Sequence, residues 1–128
     1  MADDGRPPAA PPIRVLTVDD DAGFRGVVAA IVAATPGFDC VGEACSGEDA
    51  MTLAPALHPQ LVLMDVRMPG IGGIEAARGI IGQGDGVAVV LMSCDPRLLA
   101  PEVVPDGTAG TLRKESLSPS ALRALWER

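Results

Sequence analysis

Apolar runs of strand length alternate with helical patterns along this chain, and that alternation constrains the fold more than any other feature. The five runs are IRVLTV (13–18), FDCVGEA (38–44), QLVLM (60–64), VAVVLM (87–92) and GTLRK (110–114). Strands that alternate with helices form a parallel sheet with helices on both faces. Right-handed crossovers then predict a doubly wound α/β fold, a flavodoxin-like five-stranded parallel sheet of strand order 2-1-3-4-5.

The segments between the runs carry helix patterns with recognisable ends. Residues 21–34 place an apolar face on one side, made of Phe24, Val27, Val28 and Ile31. Ser46 is expected to cap the second helix, and Ser118 followed by Pro119 is expected to begin the last one. The third helix is marked by Ile74, Ala77 and Ile81.

The fourth helix position is the irregular one. Segment 95–107 contains Pro96, Pro101 and Pro105. An interior proline costs a helix about 3 kcal/mol. The sequence therefore predicts that helix 4 is short or irregular.

Composition and charge narrow the classes of protein. A chain of 128 residues fits one domain, expected at residues 13–128, after a disordered tail rich in proline and alanine at residues 1–12. The net charge of −7 argues against direct contact with nucleic acid. No apolar run reaches the ~18 residues of a membrane span. The three cysteines lack C-x-x-C spacing, which favours a cytoplasmic protein whose cysteines are small buried side chains.

Acidic residues end two strands that the predicted order makes neighbours. Asp19 and Asp20 close strand 1, and Asp65 closes strand 3, about 4.8 Å away at one strand spacing. Like charges this close require a cation or a shared proton. Oxygen ligands of this kind suit Mg²⁺. Asp21 is expected instead to start helix 1, where a negative charge favours the helix dipole.

A hydroxyl and an ammonium end the remaining strands of the same edge. Ser93 ends strand 4, and Lys114 ends strand 5, roughly 10 Å from strand 3 at two strand spacings. A lysine leaning back over the sheet would close most of that gap. Together with the acids, this set of groups suits phosphoryl transfer onto a carboxylate, with Asp65 as the nucleophile.

Four segments resemble the conserved segments of response-regulator receiver domains of two-component signalling, the CheY-like superfamily. They are VLTVDDD, LVLMDVRMPG, VVLMSCD and AGTLRKES, and they occur in the family's order. The resemblance implies that Asp65 is the phosphoacceptor of a Mg²⁺-dependent signalling domain. It also implies a metal site formed by Asp19 (through water), Asp20 (directly), Asp65 and the backbone carbonyl of Arg67.

The same resemblance assigns the rest of the site and shows one departure. Ser93 would be the switch hydroxyl, and Lys114 would contact a phosphoryl oxygen. Receivers usually carry Tyr or Phe three residues before the lysine, and here that position is Thr111. The phosphorylation chemistry is therefore expected, whereas the usual aromatic readout is not.

Two charged residues flank the expected cleft beyond the family pattern. Arg67 lies two positions after Asp65, and Asp95 lies two positions after Ser93. We expect them to pair across the cleft and to hinder water from reaching an acyl phosphate. An exposed pair adds only ~0–1 kcal/mol to stability, so its effect would be on access.

The leading functional interpretation is a single-domain response regulator of the cytoplasm, a monomer or weak homodimer. It would take its phosphoryl group from a histidine kinase or histidine phosphotransfer protein and change its binding to an unknown downstream protein. It would catalyse only its own phosphorylation and dephosphorylation. The main alternative is the N-terminal receiver of a DNA-binding, helix-turn-helix regulator. A distant alternative is a haloacid-dehalogenase-type phosphohydrolase that uses Asp19, because VDDDAGF supplies a D-x-D pattern.

Overall fold

A computed structural model describes residues 10–128 of the chain. Residues 10–12 are exposed and have no regular secondary structure, and the rest of the predicted tail, residues 1–9, lies outside the described residues. Between residues 10 and 128, no helix combines the length and the apolar character needed to cross a membrane.

Five parallel strands form one sheet. They are β1 (Ile13–Val18), β2 (Phe38–Ala44), β3 (Leu61–Asp65), β4 (Ala88–Ser93) and β5 (Gly110–Arg113). The strand order is β2-β1-β3-β4-β5, and every neighbouring pair is parallel. The predicted doubly wound fold is confirmed, with strand ends within one residue of the apolar runs.

The described chain has four α-helices and two short 3₁₀ helices. The α-helices are α1 (Ala22–Ala33), α2 (Gly47–Leu57), α3 (Gly72–Gly82) and α4 (Pro119–Trp126), and the 3₁₀ helices are Pro96–Leu99 and Lys114–Ser116. Side chains of Asp21, Ser46 and Ser118 accept hydrogen bonds from backbone N–H groups at the starts of α1, α2 and α4. All three predicted helix starts are confirmed.

Between β4 and β5 the described chain forms a short 3₁₀ helix and turns instead of an α-helix, as its prolines predict. After the single 3₁₀ turn Pro96–Leu99, the chain continues in turns in which the N–H groups of Val103 and Val104 donate to the carbonyl of Ala100. Val103 is exposed. This segment therefore covers its side of the sheet with turns rather than with a regular helix.

Apolar side chains on the two faces of the sheet form two core layers. The layer under α2 and α3 contains Leu16, Val62, Met64, Ala77, Ile80 and Leu91. The layer under α1 and α4 contains Val15, Val28, Val32, Leu63, Val90 and Leu122. One detail of the predicted α1 face is wrong, because Val27 is half exposed and Val32 is buried in its place. The buried residues of α1 are at positions 28 and 32, one helical turn apart.

A glycine lets α3 begin in contact with the end of β3. Gly73 donates its N–H to the carbonyl of Val66 at 2.9 Å. A Cβ at this position would collide with the carbonyl oxygen of Asp65 and lie 2.8 Å from the Cα of Val66. The backbone that carries Asp65 is therefore clamped against the first turn of α3.

We expect Gly73→Ala to lower the free energy of unfolding by about 1–3 kcal/mol, because backbone atoms must move to admit the methyl group. Gly26 is a matched control, since it is a helical glycine with no atom within 4 Å of a built Cβ. Gly26→Ala should instead stabilise the protein by about 0.5–1 kcal/mol. Urea unfolding of the two variants measures both effects, and equal changes in the two would contradict the clamp.

Candidate functional site

Three carboxylates meet at the carboxyl edge of the sheet. Asp19 and Asp20 follow β1 directly, and Asp65 is the last residue of β3. One oxygen of each lies within 4.8 Å of the others. Asp19 and Asp65 are buried, whereas Asp20 is exposed. The predicted convergence of these acids is thus present in the structure.

Lys114, the first residue after β5, brings a positive charge into this cluster. Its Nζ lies 2.7 Å from Oδ2 of Asp19 and 3.5 Å from Oδ2 of Asp65. The side chain therefore crosses the gap of two strand spacings that separates β5 from β3. Its closest partner is Asp19 rather than the expected phosphoacceptor.

Other bonds hold Asp19 in place. Oδ1 of Asp19 accepts the N–H of Asp21 at 2.9 Å, and its backbone carbonyl accepts Nη1 of Arg25 at 2.7 Å. Arg25 in turn pairs with Glu43 of β2 at 3.1 Å. Both carboxylate oxygens of Asp19 thus have a protein partner, which suits contact with a metal through water better than direct ligation.

The cluster shifts the titration of its members. Burial, followed by the negative charge of Asp19, raises the pKa of Asp65, and the ammonium of Lys114 offsets only part of that rise. Burial lowers the pKa of Lys114, but the hydrogen bond to Asp19 and the charge of Asp65 outweigh burial and raise it overall. Lys114 is thereby held in its charged form beside two acids.

Ser93 and Asp65 line one small cavity. The cavity has a volume of about 180 Å³, and its lining residues are Asp65, Arg67, Ser93, Cys94, Asp95 and Lys114. Ser93 is buried, and its Oγ accepts the N–H of Asp95 at 3.0 Å. A group bound to the Asp65 carboxylate would therefore meet a hydroxyl and an ammonium in the same space.

Arg67 and Asp95 approach each other at the mouth of this cavity, but Asp95 has a nearer partner. Nη2 of Arg67 lies 3.9 Å from Oδ2 of Asp95, whereas Arg97 contacts the same carboxylate at 2.9 and 3.0 Å. The hydrogen bonds from Arg97 lower the pKa of Asp95 to about 2. The spacing of the sequence predicted the contact of Arg67 with Asp95. It did not predict the contact with Arg97, which lies two residues after Asp95 in the 3₁₀ turn.

Thr111 does not line the Asp65 cavity. It lies in β5 beside a separate cavity of about 390 Å³, whose lining includes Leu99, Val104 and Arg128. Space is therefore open beside the position where receivers usually carry an aromatic ring.

The expectation that the cysteines are small buried side chains is wrong for two of the three. Cys45 and Cys94 are exposed, and Cys40 is partly buried. Cys45 follows β2 and Cys94 follows β4, so both lie past the strand ends, where the sheet no longer covers them.

The donor groups fit the implied Mg²⁺. All three carboxylates offer oxygen, the ligand type that this ion takes in proteins. Asp20 is exposed and Asp65 faces the cavity, so these two could bind an ion that keeps several of its waters. The repulsion from Asp19, which after burial is the next cause of the raised pKa of Asp65, would be reduced by such a cation.

Comparison with known proteins decides the family. The profile of the response regulator receiver domain matches residues 15–126. The chain belongs to this family. The predicted resemblance is thereby confirmed, and with it the receiver fold.

Individual relatives agree with the family match. Response regulator GacA of Pseudomonas aeruginosa is 41% identical over 103 residues, which cover 80% of this chain and 48% of GacA. Transcriptional regulatory protein DegU of Brevibacillus brevis is 32% identical over 114 residues, covering 88% and 48% of the two chains. The chain thus spans about half the length of these two curated relatives.

Solved structures share the architecture. The response regulator domain of Thermotoga maritima CheB superposes with a TM-score of 0.80 at 28% identity, covering 91% of this chain and 95% of that one. The signal receiver domain of NarL from Mycobacterium tuberculosis gives a TM-score of 0.81 at 29% identity, covering 93% and 100%. The fold of the receiver domain is therefore shared with proteins of quite different sequence.

Phe24 also borders the site, a position that the sequence did not predict. Its position on the apolar face of α1 indicated only a core residue, yet its ring lies under the ammonium of Lys114, 4.4 Å from Nζ to the ring centroid. The signal available in the sequence was its place five residues after Asp19, in the first turn of a helix that begins at the site.

We expect Asp65→Asn to stabilise the protein in metal-free buffer at neutral pH by roughly 1 kcal/mol. Folding raises the pKa of Asp65, so the ionised side chain disfavours the folded state at pH values above that raised pKa. Below the pKa of the unfolded chain the carboxyl is protonated in both states, and the penalty is absent. The gain should therefore shrink as the pH falls through the carboxyl range.

Urea unfolding at a series of pH values, with a chelator present, measures this gain. Asp106→Asn is the control, because Asp106 is exposed and its replacement should change stability by less than about 0.5 kcal/mol. A gain from Asp65→Asn that is independent of pH would contradict the electrostatic explanation.

Proposed function

We propose that this receiver domain accepts a phosphoryl group on Asp65 in a Mg²⁺-dependent reaction. The observation that carries the proposal is the cavity in which the buried Asp65 carboxylate lies 3.5 Å from the Lys114 ammonium, beside the Ser93 hydroxyl and two further acids. A nucleophile, a cation and a hydroxyl around one small space are the groups that phosphoryl transfer requires.

The transfer step uses the Asp65 carboxylate as the nucleophile. An oxygen of Asp65 attacks the phosphorus of a phosphohistidine donor, the P–N bond breaks, and the imidazole leaves with the bonding pair and takes up a proton. The product is an acyl phosphate on Asp65.

Neighbouring groups stabilise the charge on the transferred oxygens. Lys114 donates to one phosphoryl oxygen, and the hydroxyl of Ser93, which lines the same cavity, donates to another. Asp20, Asp65 and the Arg67 carbonyl would hold Mg²⁺, with Asp19 acting through water. When bound, the ion supplies positive charge to the phosphoryl oxygens.

The proposed partner and setting are those expected of the receiver family. The donor is a histidine kinase or histidine phosphotransfer protein of the cytoplasm, and the phosphorylated domain changes its affinity for a downstream protein. The domain catalyses only its own phosphorylation and dephosphorylation. Its acidic charge of −7 favours protein partners over nucleic acid for this part of the chain.

A second candidate is the receiver half of a DNA-binding regulator. The observation that favours it is the coverage, since both GacA and DegU extend to about twice the matched length. In that case the downstream partner would be an effector domain on the same polypeptide. The length of the complete reading frame decides between this arrangement and a single-domain regulator.

We expect incubation with Mg²⁺ and acetyl phosphate to label the wild-type domain by one phosphoryl group, and Asp65→Asn to abolish the label. Intact-protein mass spectrometry measures the added mass, and borohydride reduction followed by peptide mapping locates it. Asp39→Asn, at an exposed position of β2, is the matched control and should be labelled normally.

The same experiment tests the alternatives. A label that survives Asp65→Asn and maps to Asp19 would support the haloacid-dehalogenase interpretation, against which the family match argues. The absence of any label on the wild-type protein, with acetyl phosphate and with a phosphohistidine donor, would contradict phosphoacceptor function altogether.

The mouth of the cavity carries a proposed control on the lifetime of the phosphorylated state. Arg67 lines the cavity and lies 3.9 Å from Asp95, so the pair borders the path by which water reaches an acyl phosphate on Asp65. Arg97 fixes the Asp95 carboxylate at this border. Arg67 is exposed and Asp95 is only partly buried, so the contribution of the pair is to access rather than to stability.

We expect Arg67→Ala to speed autodephosphorylation by up to about fivefold, the factor that corresponds to ~1 kcal/mol of lost interaction. Loss of phosphorylated protein after removal of the donor, followed over time, gives the rate constant. Arg78→Ala removes an exposed arginine of α3 outside the cavity and should leave the rate unchanged. An unchanged rate in Arg67→Ala would contradict the proposed effect of this pair on the lifetime of the phosphorylated state.

A further inference from the structure

The ammonium of Lys114 has an aromatic neighbour as well as two acidic ones. Its Nζ lies 4.4 Å from the centroid of the Phe24 ring, within the range of a cation–π interaction. The same atom lies 2.7 Å from Asp19 and 3.5 Å from Asp65. Lys114 therefore contacts groups from three separate parts of the chain, which are the residues after β1, the end of β3 and the first turn of α1.

The backbone fixes where the Phe24 ring stands. Phe24 is in the first turn of α1, and its N–H donates to Oδ1 of the capping Asp21 at 3.2 Å. Its side chain is partly buried against the core layer under α1 and α4. The ring thus has little freedom to leave the ammonium, since both the helix cap and the core hold it.

The ring differs from the acids in what happens to it during the reaction. A phosphoryl group would form on Asp65, and a cation would lie beside Asp19, so the attraction of both acids for Lys114 changes as the site fills. The Phe24 face binds neither group. Its attraction for the ammonium is therefore available in every state of the site.

We infer that Phe24 is a positioning residue that keeps the Lys114 ammonium beside Asp65 while the attraction between Lys114 and its acidic partners changes. This role rests on the proposed phosphoryl transfer. Phe24 belongs to α1 and touches neither the metal ligands nor the transferred group. The contact with Lys114 gives its ring face a function that apolar packing alone would not perform.

The test compares Phe24→Leu, which keeps an apolar side chain but removes the ring face, with Phe24→Tyr, which keeps the ring. The phosphorylation rate constant with acetyl phosphate at saturating Mg²⁺ should fall about 3- to 10-fold in Phe24→Leu and stay near the wild-type value in Phe24→Tyr. A small-molecule donor is used so that docking of a protein donor cannot contribute.

A second measurement reports the contact without any phosphorylation. The proton resonances of the Lys114 ε-methylene group should be shifted upfield by the Phe24 ring in NMR spectra of the wild type and of Phe24→Tyr. The shift should be lost in Phe24→Leu. Its absence from the wild-type spectrum would overturn the inferred contact.

Phe38→Leu is the matched control for loss of an aromatic side chain from the same core layer. Phe38 is the chain's other phenylalanine, and it packs edge-on against Trp126 with ring centroids 6.4 Å apart. Phe38→Leu should lower thermal stability but leave the phosphorylation rate unchanged. If Phe38→Leu slows phosphorylation as much as Phe24→Leu, general core loosening explains the effect and the positioning role is overturned.

The outcomes separate this inference from the function on which it rests. A wild-type protein that takes no phosphoryl group would overturn the proposed function. A wild-type protein labelled on Asp65, with Phe24→Leu labelled at the same rate, would overturn only the positioning role of Phe24. Phe24→Tyr as slow as Phe24→Leu would also overturn it, because the ring face would then be irrelevant.

Discussion

The ion pair between Lys114 and Asp19 is the interaction on which the arrangement of this site depends. It joins the residues after β5 and β1, which are separated in the sheet by β4 and β3, with a distance of 2.7 Å. Three carboxylates within 4.8 Å of one another repel, and Lys114 supplies the nearest opposing charge. The relief is partial, because the pKa of Asp65 remains raised. Ionised Asp65 thus destabilises the folded protein, as groups at functional sites commonly do.

The sequence was sufficient to predict the features that follow from periodicity and strand order. Apolar runs gave the five strands, and the order 2-1-3-4-5 brought Asp19, Asp20, Asp65, Ser93 and Lys114 to one edge. Helix starts at Asp21, Ser46 and Ser118 were also predictable, since a cap depends on a few local residues. These predictions succeeded because each depends on the backbone alone or on short-range contacts.

Contacts that depend on side-chain direction were not predictable in the same way. The ring of Phe24 could be placed on an apolar face, but only the packed structure shows that its outer face meets Lys114. Arg97 reaches Asp95 because a 3₁₀ turn brings it back, and the prolines indicated irregularity without indicating its geometry. The exposure of Val27, Cys45 and Cys94 likewise depends on where a helix rotates or a strand ends.

The two sides of Asp65 differ in how much room they leave for movement. Toward α3, Gly73 lies so close to the backbone of Asp65 that a single added carbon would collide with it. Toward β5, the chain after Ser93 is a short 3₁₀ turn followed by turns, with cavities of about 390 and 630 Å³ beside residues 101–106. Close packing on one side of Asp65 thus contrasts with open space on the other. Room for a displacement at Asp65 lies beside residues 99–108 rather than beside the first turn of α3.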